Sequence, residues 1–140
     1  MNFILDTNIL FSALIKDSTS REILFSPKFK FYLPEYSLTE LKKYYTEISK
    51  KSNLKESEIN DLLKRILKKS VIVPFNKYKQ KLEKAMKIIG SIDEKDSPFI
   101  STALCIKNEG IWTNDKHFLK QNEIKIFSTL DMINLLKSFI

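Results

Sequence analysis

Glycine is nearly absent: Gly90 and Gly110 are the only two among 140 residues. A Walker A loop or a Gly-x-Gly-x-x-Gly turn needs several residues without a Cβ near phosphate, so nucleotide-cofactor enzymes of those classes are set aside. Cysteine is scarcer still, and Cys105 alone permits neither an intramolecular disulfide nor a cysteine-based zinc site. His117 is the sole histidine, so any nucleophilic triad would depend on it. No serine stands in a Gly-x-Ser-x-Gly elbow, which argues against a serine hydrolase. No run is long and apolar enough to span a bilayer, and the N-terminus lacks the basic start and long apolar run of a signal peptide. The cytoplasm is therefore the default compartment, with no membrane partner. Linkers, repeats and low-complexity stretches are missing too, so residues 1–140 read as one domain.

What the chain does have is positive charge and apolar material. A formal net charge of +7 and a pI near 9.4 point to a polyanionic partner, nucleic acid before an anionic membrane surface. With 43% hydrophobic residues, a single domain of this length can bury a substantial core. Short β-like runs alternate with longer helical patterns, the signature of an α/β fold with a parallel sheet covered by helices. The expected strands are Asn2 to Leu5, Lys30 to Leu33, Val71 to Val73, Ile111 to Thr113 and Lys125 to Phe127. Between the second and third lies a long helical stretch broken near Ser52-Asn53. Its second half sets Ile59, Leu62, Leu63 and Ile66 at helical spacing with Lys64, Arg65, Lys68 and Lys69 mainly on the other side, so it reads as a helical hairpin beside the sheet. Asn76 to Ile89 is expected as one amphipathic helix, Pro98 to Asn108 as a buried one, and Thr129 to Phe139 as the last.

Against this basic background four acids stand just past the ends of separate apolar segments or at a helix start: Asp6, Glu40, Asp96 and Asp115. On parallel strands they converge where open α/β sheets place their sites, and their mutual repulsion calls for a hard divalent cation. Each acid also has a plainer reading. Asp6, Asp96 and Asp115 all precede helical segments and suit N-caps, and Ser37-Leu-Thr-Glu40 matches a capping box. Caps explain acids singly; they do not require four at one sheet edge. The Asp6-Thr-Asn start also suits phosphatases that form an aspartyl-phosphate, but those carry a second acid where this chain has Asn8.

These residues lead to a family. The chain resembles the PIN-domain ribonucleases through Leu5-Asp6-Thr7-Asn8, Glu40 in Ser-Leu-Thr-Glu-Leu, Asp96 in Asp-Ser-Pro-Phe-Ile-Ser-Thr-Ala, and Trp112-Thr113-Asn114-Asp115-Lys-His-Phe. The order and spacing of the acids fit across nearly the whole length. The resemblance implies a five-stranded parallel sheet flanked by helices, a Mg²⁺ or Mn²⁺ site and hydrolysis of RNA phosphodiesters. Asp6, Glu40, Asp96 and Asp115 would form the acidic set, with Asp93 able to assist or replace Asp96. Asp6, Asp96 and Asp115 would hold the metal, while Glu40 acts through water or as a base. Thr7, Asn8, Thr113 and Asn114 would orient these carboxylates, Asn114 standing where glycine is more usual. Partners so implied are RNA, a second copy of the chain and, for the toxin half of a toxin–antitoxin pair, an antitoxin protein. A noncatalytic RNA-binding or scaffold protein on the same fold is the alternative, and the intact acidic set argues against it.

The chemistry explains the acids: a phosphodiester's anionic oxygens repel nucleophiles, and a carboxylate-held metal both activates water and neutralises charge. Lys42, Lys43, Lys50 and Lys51 with Tyr44 and Tyr45 are candidates for contacting single-stranded RNA. Trp112 and Cys105 read as packing residues and His117 as a surface residue.

Overall fold

The computed structural model describes residues 1–15 and 18–139. Five strands form one parallel sheet in the order β3-β2-β1-β4-β5: β1 (Asn2–Leu5), β2 (Lys30–Pro34), β3 (Ser70–Val73), β4 (Gly110–Trp112) and β5 (Ile126–Phe127). Each expected strand is present to within a residue or so at its ends. Alternation explains the layers. Phe3, Leu5 and Trp112 enter one buried cluster, Ile4 and Ile111 the other, so β1 and β4 feed a core on each face.

The first cluster is covered by α1 (Thr7–Ile15), α2 (Ser18–Phe25), α3 (Tyr36–Lys51), α4 (Glu56–Lys68) and α8 (Thr129–Lys137). Helices α3 and α4 are the expected hairpin. Ser52, in extended conformation, ends α3, and its hydroxyl accepts from Leu54 N at 3.0 Å to turn the chain. Ile59, Leu62 and Ile66 of α4 are buried, as their spacing requires. Ser128 starts α8 with a capping box, its Oγ accepting from Asp131 N at 3.1 Å while Ser128 N donates to Asp131 Oδ2 at 2.8 Å. Helix α2 has no counterpart in the sequence reading; its two buried apolar residues, Ile23 and Leu24, are too few to declare a period.

On the other face α7 (Ser97–Cys105) buries Phe99, Ile100 and Ala103 against Ile4 and Ile111. The expected continuous helix from Asn76 to Ile89 is instead broken into α5 (Phe75–Tyr78), a 3₁₀ turn (Lys79–Lys81), α6 (Leu82–Ala85) and a π turn (Met86–Gly90). Side chains of α7 take its carbonyls: Ser101 Oγ donates to Tyr78 O, and Cys105 Sγ to Lys77 O at 3.5 Å. Those carbonyls are drawn toward α7, and the regular helical ladder gives way locally. Gly110, at φ +153°, opens β4 where a Cβ would run into the Lys125 carbonyl of the neighbouring chain segment. No helix among the described residues is long and apolar enough to cross a membrane.

Candidate active site

The sheet order puts the site at the junction of β1 and β4. From β1 the chain winds through β2 and β3 to one side, then returns to place β4 and β5 on the other. The helices after β1 and β4 therefore leave in opposite directions and open a crevice at the carboxyl ends of those strands. Leu5 pairs with Trp112 and Asp6 N donates to Trp112 O at 3.1 Å, so the next residues, Asp6 and Thr113, stand side by side at its mouth.

Asp6 is 5% exposed. Its Oδ2 accepts from Thr113 Oγ1 at 2.7 Å and its Oδ1 from Asn8 N at 3.3 Å. Burial nevertheless dominates and, with the charge of Asp115 nearby, lifts its carboxyl to about 6. Thr113 serves both acids, for its hydroxyl also accepts from Asp115 N at 3.0 Å. Asp115 caps the 3₁₀ turn Lys116–Lys120 through His117 N at 2.9 Å, so capping and membership of the cluster coexist there.

Glu40 comes from the first turns of α3, and the capping-box reading of Ser37 and Glu40 is overturned. Ser37 is buried inside the helix, and the Glu40 carboxylate turns toward α1. Thr7 Oγ1 lies 2.8 Å from both Glu40 Oε1 and Ser37 Oγ; with one proton it donates to the carboxylate and accepts from the serine. Burial raises the Glu40 carboxyl against the pull of Thr7, with Asp6 adding to the rise and Lys95 and Lys43 opposing it.

Asp96 is the most perturbed acid. It is 7% exposed, heads α7 without capping it, and its Oδ2 is buried with no hydrogen-bond partner among the described residues. Burial first, then the charges of Asp93, Asp115, Asp6 and Glu40, raise its carboxyl to about 8. Asp93, more exposed, does the capping, with its Oδ1 accepting from Lys95 N at 3.0 Å. All five acids thus gather at the carboxyl ends of the strands, where the charges of the other four act on Asp96. Among the described residues the group whose ligand atoms lie within 4.8 Å of one another is Asp93, Asp96 and His117, not Asp6, Asp96 and Asp115.

Not every expected residue faces that edge. Asn114 turns away: its amide donates to Thr129 Oγ1 at 2.9 Å and accepts from Thr129 N at 2.9 Å, tying β4 to the start of α8 rather than orienting an acid. Asn8 contributes its backbone N–H, and its side chain is exposed on α1. Lys51 is ion-paired with Glu47 at 2.8 Å, Tyr45 Oη donates to Asn60 Oδ1, and Tyr44 packs edge-on to Phe11 beneath Lys43. Phe11, Tyr44 and Lys51 line a cleft of about 310 Å³ between α1 and α3, with Asn8 and Glu40 also on its wall.

Two residues that sequence reasoning passed over stand among the acids. Tyr36 packs on Phe99, and burial, followed by the charge of Glu40, raises its phenol. His117 is about half exposed, as a surface reading requires, yet its Nδ1 sits 3.6 Å from Asp93 Oδ2 and 3.5 Å from Asp115 Oδ1. Its position two residues after Asp115, in a turn capped by that acid, was the available signal.

The donor set suits a hard or borderline divalent cation: oxygen ligands of high negative charge, one of them buried and unpaired, beside one imidazole. Among solved structures, a chain of VapBC2 from Rickettsia felis, crystallised bound to a DNA fragment from their promoter, superposes with a TM-score of 0.65. The two are 19% identical, over 91% of this chain and 98% of that one, so the likeness is one of fold. No curated protein matches the sequence. A family profile described as PIN domain matches residues 4–133, from within β1 into α8. The chain belongs to the PIN-domain family.

Proposed function

We propose that this protein is a metal-dependent endoribonuclease. The observation that carries the reading is Asp96: a buried carboxylate with an oxygen that has no hydrogen-bond partner among the described residues, subject to the charges of four other acids, at the carboxyl ends of the paired strands β1 and β4. An acid placed so is costly to the fold unless a cation joins it. Asp6, Asp96 and Asp115 would hold Mg²⁺ or Mn²⁺. When bound, such an ion lowers the pKa of a coordinated water and neutralises charge developing on the phosphate.

The protein's own residues set the geometry around it. Thr113 fixes the rotation of the Asp6 carboxylate and the backbone of Asp115 together, and Thr7 holds Glu40 toward α1. Glu40, with its raised affinity for a proton, is suited to take one from an attacking water. RNA would enter along the cleft between α1 and α3, displacing Lys43 from the Tyr44 ring to stack there and drawing Lys51 from its ion pair with Glu47 to meet phosphate. The likeness in fold to the VapBC2 chain favours the toxin of a toxin–antitoxin pair, with an antitoxin protein as partner, over an RNA-processing enzyme as the biological setting. A small reading frame overlapping or adjoining this one supports that setting, and co-purification of its product tests it.

The test of the activity is cleavage of a single-stranded or loop-containing RNA, followed with Mn²⁺, with Mg²⁺ and after exhaustive chelation. Cleavage is expected with either ion, absent after chelation and restored on adding metal back. Undiminished cleavage without metal rejects the mechanism; RNA binding with no cleavage under any ion returns the protein to the noncatalytic class. RNA affinity is also expected to fall steeply with salt, because phosphate contacts release counterions.

A further inference from the structure

We propose that Asp93, Asp96 and His117 form a mixed nitrogen and oxygen subsite that selects a divalent ion of the first transition series over Mg²⁺. This rests on reading the acidic edge as a metal centre, and it assigns that centre a ligand and a preference which a purely carboxylate set lacks.

Each of the three residues offers a ligand atom, and these lie within 4.8 Å of one another. Ligands of a single first-row ion stand about 3–4 Å apart, since bonds from such an ion to nitrogen and oxygen are about 2.0–2.2 Å long, so a small contraction would close the set. The separations of Nδ1 from Asp93 Oδ2, 3.6 Å, and from Asp115 Oδ1, 3.5 Å, exceed ordinary hydrogen-bond lengths. Asp96 adds a second, independent sign, for its Oδ2 is buried and without a partner. Three potential ligand atoms thus stand within reach of one ion, and one of the three residues carries a buried oxygen with no hydrogen-bond partner among the described residues.

The backbone holds the groups in that attitude. Asp93 Oδ1 is committed to Lys95 N, which leaves Oδ2 for the imidazole side. His117 N is tied to Asp115 Oδ1, which fixes the backbone from which the half-exposed ring reaches both acids. Imidazole nitrogen is a poor ligand for Mg²⁺, which takes oxygen and keeps its waters, and a good one for zinc, nickel and their neighbours. One imidazole among carboxylates therefore tilts selectivity without excluding oxygen-loving Mn²⁺. The competing account is a protonated His117 that merely pairs with Asp93 and Asp115, in which case no ion touches the ring.

The single histidine makes the experiment unambiguous. The full chain, labelled with ¹⁵N, is titrated near pH 8, above the ordinary imidazole range, with Zn²⁺, Mn²⁺ or Mg²⁺ alone, while calorimetry reports affinity. Zn²⁺ should shift one imidazole nitrogen strongly, and saturating Mg²⁺ should leave both in place; Mn²⁺, which broadens nearby nuclei whether or not they bind it, is read by calorimetry alone. His117→Gln should weaken Zn²⁺ and Mn²⁺ by about tenfold or more and change Mg²⁺ by no more than about twofold. Because the ring is half exposed, the variant should melt like wild type without metal. Ions that bind while the ring nitrogens stay silent, or a His117→Gln variant with wild-type affinities, overturn the subsite and leave the nuclease reading standing. No binding of any cation overturns both. A ring that takes Zn²⁺ and Mn²⁺ in a protein that never cuts RNA upholds the subsite and rejects the nuclease.

Discussion

The two ends of the sheet are built on opposite principles. At the amino ends of the strands, backbone groups pair with one another and the buried side chains are aromatic. The Met1 amine donates to Lys28 O at 3.1 Å, Lys30 N to Met1 O and Glu109 N to Asn2 O, both at 2.8 Å, while Phe3 packs edge-on to Phe29 and Phe127. A groove of about 860 Å³, walled by Ile23, Phe25, Pro27, Ile133, Leu136 and Phe139, opens on the same side. At the carboxyl ends, the smaller cleft of about 310 Å³ adjoins acids that repel one another. Volume alone would choose the wrong end. Charge conflict, which the fold gains nothing by creating, is the better guide to where chemistry happens.

The sharpest way to break the comparison is to damage each end and read stability and activity separately. Phe3→Ala removes a fully buried ring from the apolar end. It should cost about 3–5 kcal/mol in chemical denaturation, with the surviving folded protein cleaving RNA at the wild-type rate. Asp6→Asn or Asp115→Asn should do the reverse. Cleavage should fall by about 100-fold or more, as loss of several kcal/mol of metal-borne stabilisation requires, while melting without metal stays level or rises. Equal loss of stability and activity in both sets would show that the two ends are not separable.

The same division governs what could be read from the chain. The apolar end and the strands are local matters: alternation in Asn2–Leu5 and the spacing of Ile59, Leu62 and Ile66 declare themselves within one turn or one pleat. Asp6, Asp96 and Asp115 were legible as acids at element boundaries that composition marks, whereas Glu40 lies a turn inside α3. The surroundings of the four were not legible. That Ser37 hydrogen-bonds Thr7 rather than capping α3, and that Asn114 serves Thr129, depends on contacts spanning 30 and 15 residues. The break after Phe75–Tyr78 likewise coincides with contacts from α7, Ser101 and Cys105 taking the carbonyls of Tyr78 and Lys77, which the periodicity of the segment does not announce. His117 was marked only by its place two residues after Asp115, and the fold is what brings it against Asp93 as well.

A smaller effect sharpens the contrast through pH. Asp96 is held up to about 8 and Asp6 to about 6, both by burial first, while in the unfolded chain each titrates near the ordinary carboxylate range of about 4. Between those limits the unfolded state binds fewer protons than the folded one, so stability falls as pH rises from about 4 and levels off above about 8. Above pH 6 the slope belongs mainly to Asp96. Without metal, the protein should lose on the order of 1–3 kcal/mol between about pH 6 and 8, and Asp96→Asn should flatten that stretch. A wild-type profile that is flat or rises there would mean that the acids are already compensated, and the two ends would not differ as described.

The smallest expected effect tests whether the acidic end is organised or merely crowded. Thr113 ties the Asp6 carboxylate to the backbone of Asp115, donating to Asp6 Oδ2 at 2.7 Å and accepting from Asp115 N at 3.0 Å. Thr113→Val keeps the shape and strands both partners, so unlike the acid variants it should lower stability without metal, by about 1 kcal/mol or a few degrees of melting temperature. Metal affinity and cleavage should fall by about tenfold, because the Asp6 carboxylate is then free to rotate away from the ion. Thr113→Ser, which retains the hydroxyl, should recover most of both. The sign of the stability change is the decisive reading. If Thr113→Val stabilises the metal-free protein as Asp6→Asn is expected to, the threonine only adds to the polar crowding. If it destabilises the fold and weakens metal together, the orientation of the acids is built into the structure before any ion arrives.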